Sequence, residues 1–448
     1  MPPKSKYLSS PVLQIFIGCL ILLAVRIPFL IPGLGADMDT WCVANVASYL
    51  ARTGIYSVSR APGYPLFELA CALLIHQSHW FLNLLTCLFS LAAFVLFTLI
   101  LRRLGHKDWL ICGTAFAMTP VIYINSVNFM DYLWALAFLL GAMVCILNST
   151  ILPAGILVGL AASCRHTSIV FLVPFLMMMW TCGRERFFRR ALWLVVPAVL
   201  IQLAFFSLPL LTYGPDLLKV SNGNYQRTFV RIAHKALVGV WGWLGFLAML
   251  GALCTLLIPH ARRAIYTAPV PRNLILYPSL FIIGVHYLIY SFLPHEAGYL
   301  IPTVPFVLMT LSLILDRRVF LILCLCLMAS PFVDVRPYIN YGPIIRDHQT
   351  REFNDSLMKT VMELIKTDPE KVVLVVGHLT PQMKYYLEDQ PENLVLEYTL
   401  MPEERDLYLS EGYRILYVPG ERELHQRVQG YDLEAYGAKV LEVNDSPH

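Results

Sequence analysis

Residues 151–180 read ILPAGILVGLAASCRHTSIVFLVPFLMMMW. This run is half as long again as the roughly 20 apolar residues that cross a bilayer, and Arg165 and His166 sit at its middle. An Arg at mid-bilayer costs about 2.5 to 3.5 kcal/mol. A single crossing also puts the following cluster Arg184, Arg186, Arg189 and Arg190 outside, against the excess of basic residues in cytoplasmic loops. Two short helices meeting at Arg165-His166-Thr167 remove both difficulties. The reading is a hairpin whose tip points toward the outer half of the membrane.

On either side of this hairpin the chain carries nine ordinary apolar spans, near 11–32, 79–101, 108–125, 132–148, 191–212, 236–258, 273–292, 298–315 and 318–333. With the two hairpin arms this makes about eleven membrane segments. The basic start MPPKSK precedes an uninterrupted apolar stretch with no small-residue cleavage site, which reads as a first transmembrane helix with a cytoplasmic N-terminus. Overall 57% of residues are hydrophobic and 14% charged, against about 25% charged in an average soluble domain. The bilayer is the main solvent of this chain, and no nucleic-acid partner is expected.

Charge divides the molecule. Residues 1–333 hold nine of the 30 acidic residues and 334–448 hold 21, the latter with 12 Lys and Arg, so the tail carries −9 and the remainder +13. All 11 cysteines lie between Cys19 and Cys326, and the C-x-C at Cys324 and Cys326 inside an apolar run fits buried small side chains rather than a zinc site. In the tail an amphipathic helix near 354–366 precedes KVVLVV, NLVLEY, YRILYV and AKVLEV, four strand-like runs separated by short helical stretches. The expected fold is therefore mainly α: a polytopic transmembrane helical bundle, residues 1–333, with a small C-terminal α/β domain, residues 334–448. An odd number of segments puts that domain on the non-cytoplasmic side. Val376-Gly377-His378 follows a strand but lacks a Gly-rich phosphate loop, so a capping or acceptor-recognition role is expected rather than a nucleotide site.

The few carboxylates of the membrane part are informative, because such groups are costly near a bilayer and mark function by default. Asp37 and Asp39 stand two apart directly after the first span. They either cap the amphipathic run 40–51 or serve as a proton acceptor. Asp131 begins the fourth span, where capping and function are again both open. Arg60, Arg165, His166, Lys219, Arg227, Arg231, His234 and Lys235 fall outside or at the outer edge and suit a phosphate clamp. Arg165 needs a partner, either a lipid phosphate or a carboxylate such as Asp131, while 219–235 also reads as a surface for anionic headgroups. The segment from His295 and Glu296 to Tyr299, followed by Pro302 and Pro305, breaks a span, and polar groups at such breaks line cavities.

These stretches together resemble the GT-C superfamily of polytopic glycosyltransferases, which includes protein O-mannosyltransferases and the lipid A aminoarabinose transferase. The matching segments are ADMDTW (36–41), RTGIYSVSRAPGYPLFE (52–68), NFMDYLWALAFLLGA (128–142), GLAASCRHTS (159–168) and HEAGYLIPTVP (295–305). The resemblance implies that Asp37 or Asp39 is the catalytic base and Asp131 the second outer-loop acid. It further implies that Arg60, Arg165, His166, Arg227 and Arg231 hold the donor phosphate, and that Tyr64, His295, Glu296 and Tyr299 contact substrate. Arg165-His166 and Gly298-Tyr299 depart from residues common in the family.

What the resemblance implies as activity is transfer of a sugar, a hexose such as mannose, from a polyprenyl-phosphate carrier to an acceptor hydroxyl outside the cytoplasm, with inversion. The partners would be that donor, membrane lipids and an acceptor glycan, lipid or protein. No cofactor is required by this scheme, although some relatives use a divalent metal ion. The membrane is expected to be a bacterial plasma membrane, with the endoplasmic reticulum as the alternative, where the N-x-Ser sequons at Asn354 and Asn444 would matter. A glycolipid flippase would need the same membrane-depth charges but also internal repeats, which the sequence lacks; a non-catalytic assembly subunit is the remaining alternative.

Overall fold

The computed structural model describes all residues except 1–9, 183–184, 215–227, 258–271, 295, 337, 368–370, 388–392, 419–438 and 441–448. The first described helix is α1 (Pro11–Arg26), whose continuation enters a segment formed by α2 (Met38–Thr53) and α3 (Pro65–Leu74). There follow α4 (His79–Arg103), α5 (Trp109–Met118), α6 (Pro120–Ser126), α7 (Tyr132–Leu147), α8 (Ile151–Cys164) and α9 (Leu172–Cys182). The bundle continues through α10 (Phe187–Tyr213), α11 (Phe229–His234), α12 (Val240–Cys254), α13 (Arg272–Phe292), α14 (Val304–Ile314) and α15 (Arg317–Ala329). Among the described residues six helical stretches are long and apolar enough to cross a membrane, seven if the bent pair α5 and α6 counts as one span. The protein is an integral, multi-pass membrane protein.

Two breaks depart from simple spans. The expected span 108–125 is bent by 65° between α5 and α6, because Pro120 has no N–H to continue the helical ladder. The carbonyl of Ala117 at this break accepts instead from Arg26 Nη2 at 2.7 Å, and Arg26 Nε donates to Ser126 Oγ at 2.7 Å. A fully buried Arg at the end of α1 thus repairs the break in a neighbour. The expected span 298–315 opens with a 3₁₀ turn over Ala297–Thr303 before α14.

The 151–180 stretch does turn at Arg165. A Cβ placed on Gly155 would lie 2.6 Å from the Leu194 carbonyl oxygen, and one on Gly159 would lie 2.8 Å from Ile201 Cβ. Ascending numbers face ascending numbers, so α8 and α10 run side by side in the same direction, and the chain between them must run back. The two glycines, four apart, let the backbones approach as small residues do between membrane helices. Arg165 has extended backbone, φ −151° and ψ 104°, and 3₁₀ turns over His166–Phe171 lead into α9.

The C-terminal region opens with a two-stranded antiparallel ribbon, β1 (Val333–Asp334) and β2 (Asn340–Tyr341), and α16 (Pro343–Thr367). The expected helix 354–366 is the second half of this longer one. Then come β3 (Val372–Val375), α17 (Thr380–Leu387), β4 (Leu394–Glu397), α18 (Pro402–Ser410), β5 (Arg414–Tyr417) and β6 (Lys439–Val440). All four strand-like runs of the sequence form strands, in one parallel sheet of order β4-β3-β5-β6, with Val372 opposite both Leu394 and Arg414. β3 is buried throughout, as a β-strand covered on both faces must be; Leu374 packs with Leu357, Met358 and Val361 of α16, and Val373 with Ile415 on the other side.

This region docks on the α2–α3 segment. Trp41 of α2 packs against Tyr385 and Tyr386 of α17 at ring separations of 5.5 and 5.6 Å, and Asn45 Nδ2 donates to the Pro381 carbonyl at 2.7 Å. Arg351 of α16, with no exposed side-chain surface, pairs with Asp347 at 3.0 Å and donates to the carbonyls of Phe29 (2.7 Å), Pro32 (3.3 Å) and Val127 (3.3 Å). Removing it strands a largely buried carboxylate, 12% exposed, and three carbonyls, a loss of about 3 kcal/mol. Arg351→Ala is therefore expected to lower the apparent melting temperature of the detergent-solubilised protein by several degrees, and Arg351→Lys to recover little, since an ammonium lacks the planar fork. Unchanged melting of Arg351→Ala would refute the docking role.

Candidate active site

The loop entering α2 is fixed before its acids are placed. Buried Asn83 donates from Nδ2 to the carbonyls of Leu30 (3.0 Å) and Gly33 (2.9 Å), Phe129 N–H donates to Leu34 (2.9 Å), and Trp41 Nε1 to Gly35 (3.0 Å). Gly33 has φ +53°, a conformation glycine adopts without Cβ strain. Asp37 then takes the N-cap position of α2, its Oδ1 accepting from the Asp39 N–H at 2.9 Å. Burial first, then the negative charges of Asp39 and Glu296, raise the Asp37 carboxyl to about 7, against the pull of the Asp39 N–H and Arg60.

Asp39, in the first turn, does something else: it pairs with Arg60. Arg60 sits on the loop between α2 and α3, and that loop is folded around buried Glu68, which accepts from Tyr56 Oη, Ser59 N–H (2.8 Å) and Tyr64 N–H (3.2 Å). Arg60 Nη2 lies 3.6 Å from Asp131 Oδ1, and Asp131 Oδ2 accepts from Arg165 Nη1 at 2.7 Å. The result is an alternating chain Asp39, Arg60, Asp131, Arg165, with side chains 18, 16, 0 and 8% exposed. Asp131 holds the N-cap position of α7 but makes no capping bond with its side chain, so the capping alternative yields to the ion pair.

Tyrosine faces surround the guanidiniums. Arg165 Cζ lies 3.9 Å from the Tyr132 ring centre, 5.0 Å from that of Tyr299 and 5.5 Å from that of Tyr64, and Arg60 Cζ lies 4.6 Å from Tyr64. Such cation–π contacts hold a charge without neutralising it. Among the described residues, Arg60 Nε and Nη2 and the Tyr132 hydroxyl are buried without a hydrogen-bond partner. Those open donors, beside a carboxylate whose proton affinity is matched to neutral pH, can bind an oxyanion and accept a proton in one place.

Asp37 and Tyr132 also line a cavity of about 330 Å³, closed on its other side by Asp347, Asn354 and His378 of the C-terminal region. Glu296 lines it as well, paired with Lys235 at 3.1 Å. Of the residues singled out in the sequence, Asp37, Asp39, Arg60, Tyr64, Asp131, Arg165 and Tyr299 thus come together. His166 follows Arg165 with its Nδ1 buried and unpartnered among the described residues. Arg231 is exposed on α11, a short helix with no buried residue, and among the described residues it joins no ion pair of the cluster. Arg227 and His295 lie outside the described residues. Tyr132 was legible as an aromatic directly after Asp131, and His378 as the end of Val376-Gly377-His378 after a strand; Asp347 and Asn354 carried no local signal for this cavity. Among the described residues no three His, Cys, Asp or Glu side chains gather as a metal site.

The elevated Asp37 predicts an unusual stability profile. Its folded value, about 7, exceeds the ordinary 3.8, so folding favours the protonated form and stability falls as pH rises from about 4 through 7. Asn keeps the cap without the charge. Asp37→Asn is expected to raise the melting temperature at pH 8 more than at pH 5; an equal gain at both would contradict the buried charge.

No family model matches the chain, and no curated protein matches its sequence. Its structure is similar to that of ArnT from Cupriavidus metallidurans bound to undecaprenyl phosphate, with a TM-score of 0.57 and 13% identity, over 90% of this chain and 95% of that one. The same protein in the apo state aligns over 83% of this chain and 71% of that one, with a TM-score of 0.48 and 13% identity. The chain has the fold of that undecaprenyl-phosphate-bound ArnT structure.

Proposed function

We propose that this protein is a membrane glycosyltransferase that moves a sugar, as a hexose, from a polyprenyl-phosphate carrier to an acceptor hydroxyl, with inversion. The observation that carries the reading is the alternating chain of Asp39, Arg60, Asp131 and Arg165 beside a cavity that Asp37 enters with its carboxyl raised to about 7. Undecaprenyl phosphate bound to a neighbour of the same fold fits the carrier class.

In this reading the acceptor oxygen attacks the anomeric carbon as the bond from that carbon to the phosphate oxygen breaks. The departing polyprenyl phosphate takes the bonding electrons, and Asp37 takes the acceptor's proton. Arg60 supplies its two open N–H groups to the phosphate, and Arg165, anchored on Asp131, donates to it as a second cation. Preorganised donors aimed at developing charge usually lower the barrier of such transfers more than any other single effect. Asp39 orients Arg60, and its charge keeps Asp37 basic. No residue in this scheme requires a metal; a divalent ion near Asp37 and Glu296 belongs to the same proposal as an optional aid.

The proposal includes eleven membrane segments, a cytoplasmic N-terminus, and the site and C-terminal domain, 334–448, on the opposite face of a bacterial plasma membrane. The test is sugar release from radiolabelled polyprenyl-phosphate hexose by the purified protein in lipid nanodiscs. Wild type should turn over and the Asp37→Asn, Asp39→Asn double variant should not. Carrier binding without turnover of any hexose donor would end the transferase reading.

A further inference from the structure

The cavity has two kinds of wall, and they differ in charge from the site beside it. Arg60 and Arg165 do not line it. Among the described residues its lining contains neither Arg nor Lys but three carboxylates, those of Asp37, Glu296 and Asp347. The cations of the latter two, Lys235 and Arg351, lie behind the wall. An anion entering this space would meet like charge, which costs far more in a partly dehydrated cavity than in water.

One buried atom indicates what the cavity lacks. Asn128 Oδ1 belongs to a cavity-lining residue, 5% exposed, and has no hydrogen-bond partner among the described residues. The Asn128 side chain already hydrogen-bonds Asp347, so its free oxygen needs a donor. An ionised phosphate is an acceptor only, whereas a hydroxyl or ammonium donates. Leaving such an acceptor unsatisfied costs about 1 to 3 kcal/mol.

The C-terminal sheet supplies an independent pointer. Its order β4-β3-β5-β6 reverses direction at β3. In open parallel sheets ligands bind beyond the carboxyl ends of the strands at such a switch point. The turn that leaves β3 contributes Val376, His378 and Leu379 to the cavity, and His378 is held by the hydroxyl of Tyr398, the residue just past β4, at 2.8 Å. The sheet therefore offers its ligand-binding edge to the same space that Asp37 enters from the membrane side.

We infer that this cavity is the acceptor seat and that it takes a neutral or amine-bearing sugar-sized polyol while excluding phosphorylated ones. The inference rests on the transferase reading for the word acceptor, but the binding preference does not. About 330 Å³ is at the small end of ligand sites, which suits one sugar ring.

The test is direct binding to the full-length protein in nanodiscs, using methyl glucoside, methyl glucosaminide and methyl glucoside 6-phosphate as probes in saturation-transfer NMR and titration. The first two should bind saturably, and the phosphate at least about tenfold more weakly. Glu296→Gln should narrow that gap. Thr350→Trp, which fills the cavity from α16, should abolish binding of all three while undecaprenyl-phosphate binding shows that the variant is folded; Asn354→Leu, a smaller change on the same helix, should weaken the glycosides without unfolding. Equal or tighter binding of the phosphate overturns the inference, as does failure of all three probes on protein that binds the carrier. Glycoside binding of the expected kind without transfer from any polyprenyl-phosphate hexose would overturn the transferase reading and leave the seat standing.

Discussion

Asp37→Asn is expected to lower the rate of sugar transfer by about 10²- to 10⁴-fold, the usual contribution of a positioned general base, with carrier binding nearly unchanged. Asn is close to isosteric and caps helices as well as Asp, so α2 should keep its start. Wild-type kcat should rise with pH up to about 7, where Asp37 loses its proton, and level off above. Asp39→Asn provides the sharper control. It removes the negative charge next in importance to burial in raising Asp37, so the rising limb should move to lower pH, while loss of the Arg60 pair weakens the donor end. A variant Asp37→Asn within a few-fold of wild type, or a limb that stays in place in Asp39→Asn, would remove Asp37 from the role of base.

That division of labour was only partly legible in the sequence. Two acids two residues apart announced themselves by scarcity, yet capping and base chemistry could not be separated, because both demand Asp at the start of an amphipathic helix. The structure gives Asp37 both a cap bond and a face on the cavity, and assigns Asp39 to Arg60. The turn at Arg165 was legible because length, charge and the Arg cluster after it all pointed one way. The four strands were legible from their β-branched runs. What the sequence withheld was everything that depends on distant segments meeting: the hold of Arg351 on three carbonyls, the repair of the α5–α6 break by Arg26, and the acidic wall supplied by Asp347. Glu68 was visible as one more scarce acid, but its work is to fold the loop that carries Arg60.

Arg165→Ala is the second change with a large expected effect, and it acts in two separable ways. The guanidinium is the 2.7 Å partner of Asp131, whose side chain has no exposed surface, and the next cation, Arg60, stands 3.6 Å away. Removing one partner of a buried pair costs about 3 to 5 kcal/mol, so the variant should melt markedly earlier than wild type. It should also bind undecaprenyl phosphate about 10- to 100-fold more weakly, as expected for a charge-assisted bond worth about 1.5 to 3 kcal/mol. The double variant Arg165→Ala, Asp131→Asn separates the two effects. Neutralising the stranded carboxylate should restore most of the melting temperature, but it returns no positive charge to the phosphate, so carrier binding should stay weak. Arg165→Lys keeps the charge without the planar fork that stacks on Tyr132 and should fall between. If the double variant regains carrier affinity along with stability, Arg165 serves the fold alone, and the phosphate must be held by Arg60 without it.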